Sequence, residues 1–391
     1  MKTISFLILA LALVWIQGAQ AKPIEVLHVK EDIAKISITS PLWEKVKATT
    51  VEVYPQTTIE MNDAQLILEN AQNKAKKISV KSINNGTYVA FLVRWKDATK
   101  SIQQDNSSTT YGDGFAIQFP TKMDKLPYIG MGSDQRAVIV HLEKATSKTY
   151  EPNNKGDVYH QVDAGNQNAF GSELKKYNDE VLRQSRADYQ RVFISEGFRS
   201  MTQIRESKET SVMDMHYANG IWSGILVRPL KSEYVNLGSG SFPVAFALWD
   251  GSKKNRDGAK LLSPWVGVGA GAIASLAEPK GGDVANGEKV MMENCSACHQ
   301  YKSVKNAPAY MAPELSNIGG YGNASYIRES IIAPSAVVVP GYNTAAHPNF
   351  QWYSVDKGVR TSTMPPYDYL DEKSLNDLIA YMQTLKAEVE K

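Results

Sequence analysis

Both cysteines of the 391-residue chain lie in one pentapeptide, Cys295-Ser296-Ala297-Cys298-His299. Two thiols at this spacing, followed at once by an imidazole, form the Cys-x-x-Cys-His pattern that is typical of covalent haem attachment. Each thiol can add to one porphyrin vinyl group, and the imidazole then reaches the iron from the proximal side. A disulfide, a thioredoxin-like redox pair and half of a zinc site are the alternatives. The pattern predicts haem c.

A six-coordinate haem iron needs a second axial ligand on its distal side. The natural candidate is Met364, in Thr363-Met364-Pro365-Pro366, because it lies between the haem motif and the last helical pattern. A thioether opposite an imidazole raises the reduction potential and leaves no open coordination site. The alternatives are that Met364 only packs a loop, or that Met311 is the ligand instead.

Two helices should position this motif. A helical pattern starts at Asp283 and runs into Cys295, and a closing amphipathic helix with Asp371 as its N-cap follows the Pro-rich loop. Residues 283–391 therefore form a compact unit of about 110 residues, the size of a small domain. This unit resembles a class I cytochrome c, which is a small all-α fold. The resemblance implies Cys295 and Cys298 as thioether donors, His299 as the proximal ligand and Met364 as the distal ligand.

The preceding residues 22–270 read as a β domain. Short apolar runs alternate with turn-rich segments, and Asn84-Asn85-Gly86 is a good hairpin signal. The predicted fold class is mainly β, a β-sandwich followed by the cytochrome-like domain, with residues 271–282 as a Gly-rich linker. The predicted strands, taken in chain order, are residues 36–39, 50–53, 78–83, 88–95, 115–119, 137–142, 221–230 and 243–249. The polar stretch 147–190 predicts one surface helix in a partner-facing insertion.

The first 21 residues predict a destination for the chain. Lys2, an apolar run and Ala19-Gln20-Ala21 read as a secretory signal peptide that is cut after Ala21, with an uncleaved anchor as the alternative. We expect an exported protein, in the periplasm or an equivalent compartment, and no membrane span in the mature chain. A formal net charge of only +2 indicates no nucleic-acid partner.

Several stretches of the β domain look familiar together: residues 112–120, 128–132, 218–222, 227–230, 246–251 and 258–265. They resemble the haem b binding gamma subunits of exported molybdenum enzymes such as ethylbenzene, dimethylsulfide, selenate and chlorate oxidoreductases. The resemblance implies a sandwich that holds haem b between an axial methionine and an axial lysine. By position these are Met131, and Lys260 in preference to Lys231. The polar insertion and the added cytochrome-like domain depart from the simple family. A gamma-type subunit with both haems is most similar to that of the nitrite oxidoreductases of anaerobic ammonium-oxidising bacteria.

The predicted function is therefore a non-catalytic dihaem electron-transfer subunit of an oxidoreductase. The resemblance implies iron-sulfur and molybdenum subunits as partners, a soluble carrier such as a small cytochrome c, and nitrite or nitrate as the substrate of the complex. It also implies the anammoxosome lumen as the compartment. One alternative is a carbohydrate-binding sandwich fused to a monohaem cytochrome, with Trp43, Trp95, Trp222 and Trp249 as sugar platforms. Another is a haem peroxidase or sensor with an open coordination site.

Overall fold

The computed structural model describes residues 22–58, 64–104, 109–146, 191–198, 200–204, 211–238, 240–279, 281–341 and 349–390. The predicted signal peptide and the predicted helix of the 147–190 insertion lie outside these residues. Within the described part of the chain, no helix is both long and apolar enough to cross a membrane.

The described residues of the N-terminal domain form thirteen strands, one α-helix, α1 (Ala64–Ala71), and short 3-10 turns. The strands are β1 (Val26–His28), β2 (Thr49–Pro55), β3 (Lys76–Asn84), β4 (Tyr88–Lys96), β5 (Gly114–Pro120), β6 (Val138–Lys144), β7 (Arg191–Ser195), β8 (Thr202–Gln203), β9 (Val212–Ala218), β10 (Ile221–Pro229), β11 (Phe242–Trp249), β12 (Leu261–Leu262) and β13 (Val266–Val268).

These strands form one strongly curled sheet in the order β8-β7-β6-β5-β11-β12-β2-β3-β4-β10-β9, with β1 added beside β3 and β13 beside β11. The short pairing of β12 with β2 joins two halves that pack face to face as the layers of a sandwich. β6 and β9 lie in contact although they belong to opposite halves. Apolar residues of both halves fill the space between the layers, among them Phe91, Phe119, Trp222 and Phe246. The predicted mainly β fold class is confirmed.

Most of the strand predictions agree with the structure, and one is wrong. The Asn84-Asn85-Gly86 hairpin joins β3 to β4, where Asn84 pairs with Val89, and Gly86 has the positive φ that such a turn needs. The predicted strand at residues 36–39 is instead irregular backbone with turns. Its apolar side chains Ile36 and Ile38 pack beside Trp43 in a separate small cluster, so alternation reflects packing of a loop and not pairing in a sheet.

In the C-terminal region, residues 281–341 and 349–390 form four α-helices and one hairpin: α2 (Val284–Asn294), α3 (Ile318–Tyr321), α4 (Ala324–Ile332), α5 (Glu372–Met382), β14 (Tyr353–Asp356) and β15 (Val359–Ser362). The predicted cap of α5 is present, because Asp371 accepts a backbone hydrogen bond at the start of this helix. Asp283, where the helical pattern starts, caps α2 in the same way. α2 crosses α5 at Gly287, where an added Cβ would lie 1.9 Å from the carbonyl oxygen of Asp377. The all-α expectation lacked the β14–β15 hairpin, which precedes Met364.

The cytochrome-like region is docked on the β domain through buried contacts. Both guanidinium amines of Arg136 bind the carboxylate of Glu329, at 2.6 and 2.7 Å. The side chain of Asn323 donates to and accepts from the backbone of Trp265, at 3.1 and 2.9 Å. The predicted linker is itself packed, since Leu276 is buried in a hydrophobic cluster that contains residues of both domains. The two domains therefore form one continuous packed unit.

Glu143 on β6 gives a testable pH dependence. Its side chain is only 3% exposed, lies on the strand face opposite Leu142 and Lys144, and has one oxygen with no hydrogen-bond partner among the described residues. Burial raises the pKa of Glu143 to about 9, and the carboxylate of Asp214 adds to the shift. The folded state therefore holds the neutral acid, which contributes stability below the ordinary pKa of a glutamate and loses it as the pH rises through about 9.

Glu143→Gln should remove this loss, because glutamine has nearly the same shape and no charge. Between pH 5 and 9 we expect the free energy of unfolding of the variant to rise relative to that of the original chain, by on the order of a few kcal/mol at the alkaline end. Urea unfolding followed by tryptophan fluorescence measures this. Glu196→Gln, at an exposed position, is the control. Parallel pH profiles for Glu143→Gln and the original chain would contradict the prediction.

Candidate metal centres

The first candidate site is a cavity that we call the Cys–His cavity. Cys295 and Cys298 follow directly from the end of α2, where Cys295 is the C-cap residue, and the turn they form places His299 against the same space. Apolar side chains of α4 and of the segment that follows it also line this cavity. The cavity is lined by Thr58, Tyr128, Asn294, Cys295, Cys298, His299, Met311, Pro313, Leu315, Ile318, Tyr326, Ile327, Ile331, Val337, Val338, Val339, Phe350, Trp352, Tyr353, Met364, Pro365, Tyr367 and Met382, among others.

The imidazole of His299 is held in one orientation. Its Nδ1 lies 2.8 Å from the carbonyl oxygen of Pro313, so this nitrogen donates the hydrogen bond and the Nε2 nitrogen carries the free lone pair. Burial lowers the pKa of His299, and the hydrogen bond to Pro313 opposes that shift. A neutral imidazole with an unprotonated Nε2 is the form that ligates a metal. The side chain is thus prepared for axial ligation.

The two thiols are free in this fold, Cys295 half-buried and Cys298 exposed. Burial raises the pKa of Cys295 to about 12, and the nearby Cys298 adds to the shift. Thioredoxin-like pairs depend on a thiol whose pKa is lowered. The environment of Cys295 therefore disfavours the redox-pair alternative and fits a residue that is held in apolar surroundings beside a porphyrin.

Both candidate distal methionines, Met364 and Met311, line the Cys–His cavity. The backbone N–H of Met311 donates to the carbonyl oxygen of Pro308 at 3.0 Å. The backbone N–H of Met364 donates to the Ser362 hydroxyl at 3.1 Å, and the N–H of Thr363 donates to the carbonyl oxygen of Trp352 at 3.0 Å. The β14–β15 hairpin therefore delivers Met364 to the cavity, which gives the added element a structural role.

The second candidate site is a separate cavity of about 630 Å³ on the β domain, a volume typical of small-molecule and cofactor sites. We call it the Met–Lys cavity. Alternate residues of β5, β6 and β11 form its wall, on the sheet face that points away from the core between the layers. The cavity is lined by Ala116, Gln118, Ile129, Met131, Val140, Leu142, Lys144, Phe198, Met201, Ala245, Phe246, Ala247, Trp249, Arg256, Asp257, Lys260 and Leu262.

This wall explains why β5 and β11 are buried over their whole length. One face of each strand packs in the sandwich core, and the other face presents Ala116, Ala245 and Ala247 to the cavity. These small apolar side chains give the wall a surface with short protrusions and no charge, against which a planar macrocycle can pack. The sequence carried a signal for this wall, because β11 is a continuous apolar run and Gln118 is the one polar side chain of β5, unlike the alternation of a sheet with one solvated face.

Met131 occupies an unusual backbone conformation. Its φ is 96°, in the region that non-glycine residues rarely adopt, and its side chain is 9% exposed. Gly132 beside it has a φ of 88°, and an added Cβ there would lie 2.7 Å from the carbonyl oxygen of Ser195. The local strain is maintained by close backbone packing, and strain of this kind is concentrated at functional sites. Met131 itself is one of the residues that line the Met–Lys cavity.

Lys260 lines the same cavity as Met131 and is 5% exposed, whereas Lys231 is exposed and lies elsewhere. Burial lowers the pKa of Lys260 to about 8, with the carboxylate of Asp257 opposing the shift and the ammonium of Lys144 adding to it. An amine can ligate a metal only when it has lost its proton. The structure therefore brings together the two residues that the resemblance paired, and the geometry favours Lys260 over Lys231.

Lys144 is a cavity residue that the sequence analysis missed. Its Nζ lies 5.8 Å from the centroid of the Trp249 ring, and the Nζ of Lys260 lies 5.3 Å from the centroid of the same side chain. Nothing in the local sequence distinguishes Lys144 from a strand-end lysine in solvent. The available signal was its spacing, because Val140, Leu142 and Lys144 share one face of β6.

One short segment forms a wall of both cavities. Tyr128 lines the Cys–His cavity, while Ile129 and Met131 line the Met–Lys cavity. The Tyr128 hydroxyl is hydrogen-bonded to that of Thr58, and its ring packs at 5.6 Å against Tyr326 of α4. The two cavities are thus neighbours that are separated by a few residues of the β domain.

The four tryptophans considered as sugar platforms are buried. The exposed fractions are 3% for Trp43, 3% for Trp95, 0% for Trp222 and 7% for Trp249. Trp95 and Trp222 stack on each other at 6.2 Å, and Trp249 forms part of the Met–Lys cavity. None of these four rings offers an open face to a polysaccharide, so their burial favours core packing.

Comparison with known proteins agrees with this division. Residues 284–386 match the family model described as cytochrome c, so the C-terminal region is a cytochrome c domain. Residues 40–261 match the model described as ethylbenzene dehydrogenase. Because this second match spans more than half of the chain, the protein belongs to the ethylbenzene dehydrogenase family.

Solved structures add little to this assignment. The chain is similar to a family 9 carbohydrate-binding module from Caldicellulosiruptor kristjanssonii. The complex with glucose has 11% identity and a TM-score of 0.30, covering 66% of this chain and 100% of that chain. The complex with cellotriose has 8% identity and a TM-score of 0.29, covering 66% and 98%. Scores this low support no inference about sugar binding. No curated protein matches the chain.

Proposed function

We propose that the protein is a dihaem electron-transfer subunit of an exported molybdenum oxidoreductase complex. The observation that supports this proposal most directly is that Met131 and Lys260, which are distant in sequence, line one buried cavity, separate from the one that contains Cys295, Cys298 and His299. Each cavity thus offers side-chain donors for both axial positions of a haem iron. The residues fit haem b in the Met–Lys cavity and haem c in the Cys–His cavity.

In the Cys–His cavity the chain would hold haem c through two thioether bonds, from Cys295 and Cys298. His299 would present its Nε2, because Pro313 already binds its Nδ1. Met364 would be the distal ligand, since it lines the cavity two residues after the end of the β14–β15 hairpin and its backbone N–H is bound to Ser362. The buried aliphatic residues Ile327, Ile331 and Val338 would exclude water.

In the Met–Lys cavity the chain would hold haem b between Met131 and Lys260. Burial lowers the free-energy cost of deprotonating Lys260. Met131 lines the same cavity from a strained backbone position. A bound haem supplies a one-electron iron couple. Side chains that fill both axial positions leave no site for a substrate, so the chemistry on the substrate would belong to another subunit.

The partners follow from the family. Membership of the ethylbenzene dehydrogenase family supports association with iron-sulfur and molybdenum subunits, and the cytochrome c domain supports exchange with a soluble carrier. Nitrite or nitrate as the substrate of the complex rests on the resemblance to nitrite oxidoreductase gamma subunits. Export to the periplasm, or to an anammoxosome lumen, rests on the predicted signal peptide at residues 1–21.

A haem count tests the proposal. The purified chain should give an absorption spectrum in alkaline pyridine that corresponds to two haems per chain, one of b type and one of c type. Extraction with acidified acetone should remove one haem and leave the other bound to the polypeptide. A single covalent haem in the isolated, fully loaded chain would overturn the dihaem proposal and leave a monohaem cytochrome with a β domain of another function.

Lys260→Met tests the lysine assignment. We expect the ferric haem b of the variant to lose the low-spin electron paramagnetic resonance signal of an amine-ligated iron. Methionine has no amine, so it cannot give the signal that depends on a nitrogen ligand. The matched control is Lys231→Met, the same change at the exposed lysine, which should leave the signal unchanged. An unchanged signal in Lys260→Met would show that another residue ligates the iron.

A further inference from the structure

The Met–Lys cavity contains more charged groups than two axial ligands require. Besides Lys260, it is lined by Lys144, Arg256 and Asp257. The two candidate iron ligands are buried, with Lys260 5% and Met131 9% exposed. Lys144 and Arg256 are half-buried and Asp257 is exposed. The burial of the lining residues therefore changes across the cavity: the candidate iron ligands lie in its interior, and the other charged side chains lie at its rim.

Both rim cations are positioned by neighbouring aromatic rings. Lys144 is the last residue of β6, and its Nζ lies 5.8 Å from the ring centroid of Trp249, which lines the same cavity. The guanidinium carbon of Arg256 lies 5.0 Å from the ring centroid of Tyr111, and its Nη1 donates to the carbonyl oxygen of Lys254 at 3.2 Å. With one negative charge from Asp257, the three rim side chains carry a net positive charge.

Haem b carries two propionate carboxylates, and in a cavity walled by alanine, valine and leucine they need charged partners or water. Lysine and arginine bind carboxylates through charge-assisted hydrogen bonds. The cavity offers one lysine and one arginine at its rim, which matches the number of propionates. We propose that Lys144 and Arg256 bind the two propionates of haem b at the rim of the Met–Lys cavity. This inference rests on the proposed function, because it presupposes that the cavity holds haem b.

The assignment of Lys144 to a propionate gives different roles to two lysines that are close in space. Lys144 and Lys260 lie near the same tryptophan ring, and either amine could in principle ligate an iron. Lys260 is the more deeply buried, and its carbonyl oxygen accepts a hydrogen bond from the Gln56 backbone at 3.0 Å, which fixes the turn that contains it. We therefore assign Lys260 as the iron ligand and Lys144 as the partner of a propionate carboxylate.

Porphyrin titration tests the inference. The full chain, with its non-covalent haem extracted and its covalent haem retained, is titrated with iron protoporphyrin IX and with the dimethyl ester of the same compound. Soret difference spectra give the two dissociation constants. Lys144→Met and Arg256→Met should each weaken binding of the free acid by about tenfold to a hundredfold, the range for a hydrogen bond to a charged group. Neither change should alter the affinity for the diester, because its esterified propionates carry no charge.

The controls keep the outcome interpretable. Lys231→Met removes one exposed positive charge outside the cavity and should bind both porphyrins like the original chain. Lys144→Arg and Arg256→Lys should recover most of the free-acid affinity, which shows that the cavity still folds. The low-spin signal of the amine-ligated iron should survive in Lys144→Met.

Three results would overturn the inference. The rim variants could bind the free acid as tightly as the original chain, they could weaken the free acid and the diester equally, or Lys144→Met could abolish the amine-ligated signal. If the original chain binds neither porphyrin, the proposed haem b site itself fails, and this outcome is distinct from the other three.

Discussion

Met131→Ala should release the non-covalent haem at least about 100-fold more readily than the original chain. Loss of a residue in the outer shell of a metal site commonly costs 10- to 100-fold in affinity, and removal of a ligand should cost more. The measurement is the rate of haem transfer to excess apomyoglobin, followed by the Soret absorbance. The covalent haem of the cytochrome c domain should be unaffected, and its absorbance gives an internal standard in every trace.

The control for this experiment is Met213→Ala. Met213 is also buried, at 2% exposed, but it packs between the two layers of the sandwich and does not line the Met–Lys cavity. The same truncation there should lower the stability of the β domain by about 2–5 kcal/mol while the haem remains bound. Equal haem loss from both variants would mean that Met131 acts only through packing, and the axial assignment would then be wrong.

Gly287→Ala should prevent the two terminal helices of the cytochrome c domain from crossing. The new methyl group would lie 1.9 Å from the carbonyl oxygen of Asp377 and 2.9 Å from the Cβ of Tyr381, which are fixed parts of α5. Backbone atoms cannot rotate away as a flexible side chain can, so the cost should exceed the roughly 3 kcal/mol of ordinary overpacking. Because α2 ends at Cys295, we expect a steep fall in the covalent haem recovered per chain.

The matched control is Gly240→Ala, where an added Cβ meets nothing within 4 Å. Covalent haem content, measured as the pyridine haemochromogen per mole of purified chain, should stay at the original level in this variant. The thermal unfolding midpoint of the cytochrome c domain provides a second measurement. A normal haem content and midpoint in Gly287→Ala would mean that α2 and α5 do not cross closely at this residue.

The Cys-x-x-Cys-His motif could be identified from the sequence because its chemistry is local. Cys295, Cys298 and His299 lie within five residues, and their pattern requires no knowledge of the fold. Periodicity likewise located α2, α5 and most strands, since alternation and helical spacing express which faces become buried. It failed at residues 36–39, where alternating apolar side chains pack on Trp43 in a loop, because periodicity measures burial and only indirectly backbone pairing.

The second cavity lay beyond what the sequence pattern could predict. Met131 and Lys260 were paired only through a family resemblance, since no local rule brings together a strained loop and a distant turn. Lys144 was missed because its place depends on the register of β6 against β5, where Gly114 pairs with Lys144. The positive φ of Met131 depends on the packing around it and leaves no trace in the composition of the segment.

The paired contacts between Arg136 and Glu329, and between Trp265 and Asn323, have a consequence for kinetics. A cytochrome c domain on a flexible linker would have to diffuse into position before each electron transfer. Glycerol would then slow electron transfer in proportion to the viscosity of the solution. In this protein the spacing between the Cys–His cavity and the Met–Lys cavity is set when the chain folds. Electron transfer between the two proposed haems, started by a light pulse, should therefore have the same rate in dilute buffer and in viscous glycerol solutions.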